Sequence, residues 1–259
     1  MALKNDAYWQ RRTRENAEYA EKQAARYAQR IKGVQRHAAE EIDRYLADLL
    51  LDYGKGITPT RTQLWTAGKY LQLRECIADE CKNVGNSQIK LLDELLPKLY
   101  DAILDTNWND FKEQGSTFAF IPTRMIRQGL DTAWSGKNYS SRIWTNTNAL
   151  ADRLEKDIAD YIVLGKSSTQ IKAAIKDDFG VSYSKADRLF RTESAHVMTE
   201  ASKESYKRAG IQQVKWLHGK GHCDCPTCTK LDGKIFDLAN APTLPAHCNC
   251  ICCLAPVVE

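Results

Sequence analysis

Apolar residues recur at helical spacing along most of the chain. The clearest stripe follows steps of 4, 3, 4, 4, 3 and 4 residues through Tyr27, Ile31, Val34, Ala38, Ile42, Tyr45 and Leu49. Steps of three and four residues keep side chains on one face of an α-helix. The pattern therefore predicts one long amphipathic helix, which we expect to end at Gly54 and Gly56.

The helical spacing continues after this break. We expect Thr58 to cap the next helix, with Pro59 in its first turn. This helix should end near Cys81, because "NVGNS" is typical of a turn. Pro97 lies inside the following apolar run and predicts a kink or a split there. Further helices are predicted from Pro122, from Leu150 to Ile162, from Ser168 to Phe179 and from Ser184 to Ala209.

The pattern of polar and apolar residues departs from helical spacing only near the C-terminus. "IQQVKWL" alternates polar and apolar residues and predicts a short strand, with "GKIF" and "LAPVV" as candidate partners. The sequence therefore predicts a mainly α protein with a small α+β C-terminal module. We expect the helices to form an elongated body.

Composition changes this prediction little. The chain has 259 residues, of which 43% are hydrophobic and 27% are charged, and its net charge is +4. These values are ordinary for a globular protein and weaker than the charge imbalance of a dedicated nucleic-acid-binding protein. The first residues contain no apolar stretch typical of a secretory signal, and no run is long enough for a membrane span, so we expect no membrane contact.

The first half of the long helix is basic. Residues 11–36 contain eight Lys and Arg against three Asp and Glu. A solvated helix face explains most such runs, and a surface that meets DNA or an acidic protein ring is the alternative. The candidate contacts for nucleic acid or such a protein ring are Arg11, Arg12, Arg14, Arg26, Arg30 and Arg36.

Cysteines are concentrated in two stretches near the end of the chain. Of nine cysteines, seven lie in "HCDCPTC" and "HCNCICC". Cys225 and Cys228 form a CxxC pair, and His247 lies three residues before Cys250. Two such pairs across a short connection predict a metal site of treble-clef or ribbon type. Soft sulfur with imidazole favours Zn²⁺, with an iron–sulfur cluster as the second choice. The candidate ligands are Cys225, Cys228, His247, Cys250 and Cys252, one more than a tetrahedral ion requires.

We expect this zinc to be structural. Sulfur can fill the whole coordination shell, whereas a catalytic zinc keeps a water position and usually has a carboxylate base nearby. A metal-dependent hydrolase is therefore disfavoured, and no catalytic residues are predicted. The loop-rich segment between the two stretches is poor in large apolar residues, so the ion would supply its rigidity. Cys76 and Cys81 are expected to be reduced thiols in the helical core.

Arg191 and Glu193 lie two residues apart on a predicted helix, so they point in different directions. We expect them to form structural ion pairs with neighbouring elements rather than to act in catalysis.

Four stretches together resemble a known family. "RLFRTESAHV" (188–197), "AGIQQVKWL", "CPTCTKLDGKIF" and "PAHCNCICCLAPV" are similar to the phage head-morphogenesis family named after the Mu F protein. The resemblance extends from Trp134 to Val258. In this chain Cys248 replaces the family's proline after the histidine, and Ile251 replaces its arginine between cysteines. We therefore predict a helical N-terminal region at 1–133 and a Mu F-like domain at 134–259, with its Cys-rich zinc module at about 211–259.

The resemblance implies a minor capsid protein located inside the virion head, and in the host cytoplasm during assembly. Its implied partners are the portal protein, the major capsid or scaffolding protein, and non-specific double-stranded DNA. It also implies that the five candidate ligands hold the metal. The alternative is a zinc-ribbon DNA-binding protein, which requires basic residues grouped beside the zinc. Residues 191–234 contain only eight Lys and Arg against five Asp and Glu.

Overall fold

The computed structural model describes residues 5–53, 58–113, 136, 138–219 and 225–258. The predicted helix from Pro122, the glycines at 54 and 56, and Cys223 lie outside these ranges. Within them the main helices are α1 (Asp6–Tyr53), α2 (Arg61–Thr66), α3 (Gly68–Lys112), α4 (Tyr139–Val163) and α5 (Ser168–Arg208). The C-terminal elements are β1 (Gln213–Leu217), α6 (Pro226–Leu231), β2 (Ile235–Asp237), a 3-10 turn (Leu238–Asn240) and β3 (Cys253–Pro256).

The chain divides into two compact units, and α1, α3 and α5 contribute to both. The helical unit comprises Ala28–Leu91 and Trp134–Asp187, and the strand-bearing unit comprises Met1–Tyr27, Leu92–Ala133 and Arg188–Glu259. Each unit is thus drawn from separate stretches of the chain, because three long helices run from one unit into the other. The predicted division into 1–133 and 134–259 stays a prediction.

The helical unit is held by one apolar core. Full burial of a Val, Leu, Ile or Phe side chain contributes about 1.5–3 kcal/mol, so this core is the main stabilising feature of the unit. Its buried residues include Ala38, Ile42, Leu46 and Leu49 of α1, Leu73, Ile77, Cys81 and Val84 of α3, Leu150, Leu154, Ile158 and Ile162 of α4, and Ile171, Ile175 and Phe179 of α5.

The strand-bearing unit contains a three-stranded antiparallel sheet in the order β2-β1-β3. The central strand pairs Val214 with both Phe236 and Pro256. Trp216 of this strand is fully buried. Gly210, at φ +76°, ends α5 just before the strand begins, in the left-handed conformation that glycine adopts without strain. The predicted fold class, mainly α with a small strand-bearing C-terminal module, is confirmed.

The long N-terminal helix is confirmed, but breaks predicted in two other helices are wrong. α3 runs without interruption through 83–87, where a turn was expected, and it is not split at Pro97, where a kink or a split was expected. A Cβ atom on Gly85 would lie 2.8 Å from a ring carbon of Trp144. Gly85 therefore allows the close packing of α4 on α3 rather than a turn, a role that the sequence alone does not reveal.

The second of these helices is α5, where a break before Ser184 was expected. Ser184 does not cap a new helix, because its hydroxyl donates to the carbonyl of Gly180 one turn earlier in a continuous helix. Similarly, Thr60 rather than Thr58 caps α2, in a capping box with Gln63. None of the helices within the described ranges has both the length and the apolar composition that a membrane span requires.

Candidate metal centre

The CxxC pair lies at the start of the short helix α6. Cys225 is the residue before the helix, Pro226 occupies its first turn, and Cys228 lies inside it. Proline is well tolerated at this position because the first N–H groups of a helix have no partner within it. One helical turn therefore carries both sulfurs toward the same side.

The second pair comes from a tight turn before β3. The backbone N–H of Cys250 donates to the carbonyl of His247 at 3.1 Å. Asn249 lies between them at φ +58°, and its N–H is 3.4 Å from the hydroxyl oxygen of Thr192 on α5. Asparagine tolerates this left-handed conformation better than most residues. The turn thus presents the imidazole and the thiol together and is tied to α5.

The structure brings all five candidate ligands into two overlapping groups. The ligand atoms of Cys225, Cys228 and His247 lie within 4.8 Å of one another, and so do those of Cys228, Cys250 and Cys252. Cys228 is common to both groups. Its sulfur is 3.4 Å from His247 Nε2 and 4.0 Å from Cys250 Sγ.

The imidazole of His247 has a defined orientation. Its Nδ1 lies 2.9 Å from the carbonyl oxygen of Cys248. A carbonyl oxygen only accepts, so Nδ1 must carry the proton, and the lone pair of Nε2 then faces Cys228. Metal-ligating histidines typically donate their other ring N–H in this way.

The neighbouring groups shift the pKa values of the thiols. The pKa of Cys225 is lowered to about 7, chiefly by the backbone N–H of Cys228. The pKa of Cys250 is lowered, chiefly because its sulfur accepts a hydrogen bond from Cys252, and the pKa of Cys252 is raised by the same bond. Burial raises the pKa of Cys228. Metal binding would displace the protons that these sulfurs share.

The segment at Gly219 passes close to Ile251, the residue before Cys252. A Cβ atom on Gly219 would lie 2.3 Å from Ile251 Cγ1, so only glycine fits where this segment passes the loop. The other cysteines differ in environment. Cys248 is exposed, whereas Cys253 is buried in β3, where burial raises its pKa to about 12. Cys76 and Cys81 belong to α3 of the helical unit, and burial raises their pKa values to about 11 and about 12.

The donor set fits a zinc ion. Zn–S and Zn–N bonds of about 2.3 Å and about 2.0 Å place the donors of a tetrahedral site about 3.5–3.8 Å apart. The observed 3.4 Å and 4.0 Å separations at Cys228 bracket this range. Both groups contain only Cys and His, which are soft or borderline ligands suited to zinc. Neither contains a carboxylate.

An aromatic cluster packs in the same buried core as several of the metal-ligand candidates. Trp9 stacks on Phe111 with ring centroids 4.2 Å apart, and Tyr206 meets both rings edge-on. Trp216, Cys228, Cys250 and Cys252 belong to the same buried core. No local pattern in the sequence singles out Trp9, Phe111 or Tyr206, because none shows that the first helix meets the last strands.

Polar contacts also attach this core to α1. The buried hydroxyl of Tyr206 donates to the carbonyl of Leu254 at 3.1 Å. The same hydroxyl lies 3.3 Å from the hydroxyl oxygen of Thr13 in α1. Lys215 Nζ is 3.0 Å from a carboxylate oxygen of Asp6. The Cys-rich loops are therefore supported from the start of the chain as well as from α5.

Arg191 forms an ion pair with Glu21 of α1, with 2.6 Å between Nη1 and Oε1. Glu193 is 3% exposed and buried within the unit. Arg191 and Glu193 both belong to α5, and the ion pair between Arg191 and Glu21 joins α5 to α1.

The candidate basic residues of α1 divide into two kinds. Arg12 Nε is 2.6 Å from Asp110, and Arg14 donates to the carbonyl of His218 at 3.0 Å, so both serve internal contacts. The hydrogen bond to Asp110 raises the pKa of Arg12. The remaining four are solvent-exposed: Arg11, Arg26, Arg30 and Arg36. Arg11 and Arg36 lie near Glu15 and Glu40 on the same helix.

Comparison with known proteins bears on the C-terminal half. Residues 152–255 match the family model described as Phage Mu protein F like protein, which includes all five candidate ligands. The resemblance inferred from the sequence is thereby confirmed over these residues.

The chain is also 29% identical over 117 residues to a protein of Enterococcus faecalis (strain ATCC 700802 / V583) named NAD(+)--arginine ADP-ribosyltransferase EFV. The aligned part is 44% of this chain and 24% of that protein, so the chain spans about a quarter of the length of this relative. No solved structure matches this chain.

Proposed function

Because residues 152–255 match the Phage Mu protein F like family, we propose that this protein is a minor capsid protein of a tailed phage that acts in head morphogenesis. It would be located inside the virion head and would bind the portal protein, with the major capsid or scaffolding protein as a further contact. The family match is the observation that carries this proposal.

Within this role, zinc would hold the C-terminal module together. We assign the shell to Cys225, Cys228, His247 and Cys250. Cys228 is common to both ligand groups, and the Nδ1–H bond to Cys248 directs His247 Nε2 toward it. Cys252 would lie beside this shell as a buried thiol. In such a site four protein ligands would coordinate the zinc, so that binding supplies folding free energy and leaves no position for a reactive water.

This role is non-enzymatic. The two ligand groups contain no carboxylate to act as a base beside a metal-bound water. The activity in the name of the E. faecalis relative belongs to a protein of which only 24% aligns with this chain. Incubation of the chain with NAD⁺ and an arginine-rich acceptor should therefore release no nicotinamide, and release at enzymatic rates would contradict this part of the proposal.

Contact with packaged DNA is proposed as weak and non-specific. The exposed Arg11 and Arg26 are candidates, whereas Arg12 and Arg14 serve internal contacts. Such binding would fall steeply with salt. A defined operator bound with discrimination that survives high salt would instead favour the zinc-ribbon DNA-binding alternative.

The test of the main proposal is co-sedimentation. The chain should sediment with purified portal rings, or with procapsids assembled from the portal, major capsid and scaffolding proteins of the same phage. The Cys228→Ser variant should lose this association if the module makes the contact, whereas Cys76→Ser, in the helical unit, should retain it. Absence of the wild-type chain from both fractions would overturn the proposal.

A further inference from the structure

Two glycines lie in the middle of long helices where the fold does not require them. Gly33 is inside α1 and Gly180 is inside α5, and both are exposed. Neither has a positive φ, and a Cβ atom added to either would meet nothing within 4 Å. Glycine in a helix interior costs about 1 kcal/mol relative to alanine. Glycine at these two positions therefore makes the helices less stable than alanine would, although no packing contact within the described residues requires it.

Both glycines line one groove of the helical unit, which we call the α1–α5 groove. Its volume is about 870 Å³. Gln29 is hydrogen-bonded to Tyr183 at one end, and Asp43 pairs with Lys172 at the other, so the two helices run antiparallel along it. From Gln29 to Asp43 it extends about 21 Å, or about four helical turns. The lining between the helices includes Gln35, Ala39, Ile175 and Phe179.

The rim of the groove is positively charged. Four cationic side chains and two carboxylates line it, which gives a net charge of +2. The carboxylates of Glu40 and Asp43 lie 3.9 Å from Arg36 and 2.7 Å from Lys172, respectively. The excess positive charge therefore comes from Lys32 and Lys176. Lys32 lies over the ring of Tyr183, 5.7 Å from its centroid.

We propose that the α1–α5 groove is a docking site for an acidic amphipathic α-helix of a partner protein. The glycines would let the backbone of the incoming helix approach closely, and its apolar face would lie on Ala39 and Phe179. Acidic residues on its flanks would meet Lys32 and Lys176. A nucleic acid fits less well, since its phosphates and sugars would gain nothing from the apolar floor of the groove.

This inference is separate from the assignment to phage heads, because its test contains no phage component. The probe is a fluorescein-labelled peptide of about 16 residues, long enough for about four turns, with Ala and Leu on one helical face and Glu on the other. Fluorescence anisotropy with the whole chain should show binding at least about tenfold tighter than for the same peptide with Lys in place of Glu. A peptide interrupted by a central proline should lose affinity to a similar extent.

Variants locate the binding to the groove. Gly33→Leu and Gly180→Leu should each weaken binding about tenfold, because the new side chain projects into the groove rather than into the core. The double variant Lys32→Glu/Lys176→Glu should weaken it at least as much. Matched controls are Ala47→Leu and Lys90→Glu, which are exposed on helices of the same unit but do not line the groove. These should bind the peptide as the wild type does, and thermal unfolding followed by circular dichroism should show all variants folded.

Three outcomes would overturn the proposal. The first is no binding of the acidic peptide at concentrations on the order of 100 μM. The second is equal affinity for the acidic and basic peptides, or unchanged affinity in both leucine variants. The third is binding of duplex DNA that is lost in the Lys32→Glu/Lys176→Glu variant but kept in the leucine variants, which would assign the cations of the groove to nucleic acid.

Discussion

The Nε2 atom of His247 lies 3.4 Å from the Sγ atom of Cys228. One residue belongs to the turn before β3 and the other to helix α6. Their approach joins the two Cys-rich stretches at one point, and the consequences of breaking it are open to direct test.

Loss of Cys228 should remove the metal. Because Cys228 is common to both ligand groups, Cys228→Ser should abolish stoichiometric zinc in the reduced protein and lower the thermal unfolding temperature of the strand-bearing unit. Elemental analysis and circular dichroism would measure both effects. The conservative control is Cys76→Ser, whose thiol belongs to the other core. Wild-type protein without any stoichiometric transition metal would contradict the site itself.

The identity of the fourth ligand can be decided by a matched pair. We expect Cys252→Ser to retain zinc and Cys250→Ser to lose it, because Cys250 lies in the turn that also presents His247. Zinc lost from both variants, or from Cys252→Ser alone, would show that the sulfur of Cys252 is part of the shell.

The hydroxyl of Tyr206 should stabilise the strand-bearing unit. Tyr206→Phe leaves the buried carbonyl of Leu254 without this donor, which should cost about 1–3 kcal/mol in the free energy of unfolding. Urea denaturation would measure the loss. Tyr19→Phe serves as the control because Tyr19 is 41% exposed, and a Tyr206→Phe protein as stable as the control would contradict the prediction.

The basic residues of α1 should separate into DNA-binding and structural groups. Arg11→Ala/Arg26→Ala should weaken binding to duplex DNA and reduce the salt dependence by about two counterions, without a change in stability. Arg12→Ala should instead lower stability, because it leaves the buried Asp110 without its cation. Filter binding at several salt concentrations and urea denaturation would measure the two effects.

The control for the DNA measurement is Lys82→Ala/Lys90→Ala, which removes the same charge from exposed positions of α3. Equal losses of affinity in the two double variants would mean that α1 contributes only net charge.

The glycines should respond to alanine in opposite directions. Gly180→Ala should stabilise the protein by about 1 kcal/mol, because the methyl group enters open space and alanine favours the helix. Gly85→Ala should destabilise it, because the methyl group would meet Trp144 at 2.8 Å. Thermal unfolding of both variants distinguishes them, and a shift in the same direction would refute the assigned roles.

Stability should depend on pH through Asp178. Burial raises the pKa of this carboxyl above its ordinary value, although Arg153 at 3.3 Å opposes the shift. The folded state then binds the proton more tightly than the unfolded state, whose pKa is about 3.9. Stability should therefore fall as pH rises from that value through the raised folded-state pKa, and the loss should be complete above it.

Asp178→Asn should remove this part of the pH dependence, as measured by urea denaturation from about pH 3.5 to about pH 7. Asp177→Asn, at the exposed neighbouring position, is the control. An unchanged slope in Asp178→Asn would show that other groups cause the dependence.

Local pattern was sufficient for much of this fold. The stripe from Tyr27 to Leu49 predicted α1, and "IQQVKWL", "GKIF" and "LAPVV" predicted the three strands that form. The spacing of Cys225, Cys228, His247 and Cys250 predicted two pairs that meet. These features depend on residues close in sequence, where helical or strand periodicity and single-turn spacing fix the geometry.

The turn wrongly predicted at 83–87 arose because Gly85 packs against a residue far away in the chain. The sequence by itself determined the fold class, the strands and the two halves of the metal-ligand set, because these follow from short-range periodicity and spacing. Only the tertiary structure decided that Gly85 packs against Trp144 and that Arg12 forms an ion pair with Asp110. It also decided that Trp9 and Tyr206 pack in the core of the C-terminal module. Packing between elements far apart in the chain overrides local turn signals, and charged side chains form ion pairs with distant partners. No local pattern encodes which faces will meet.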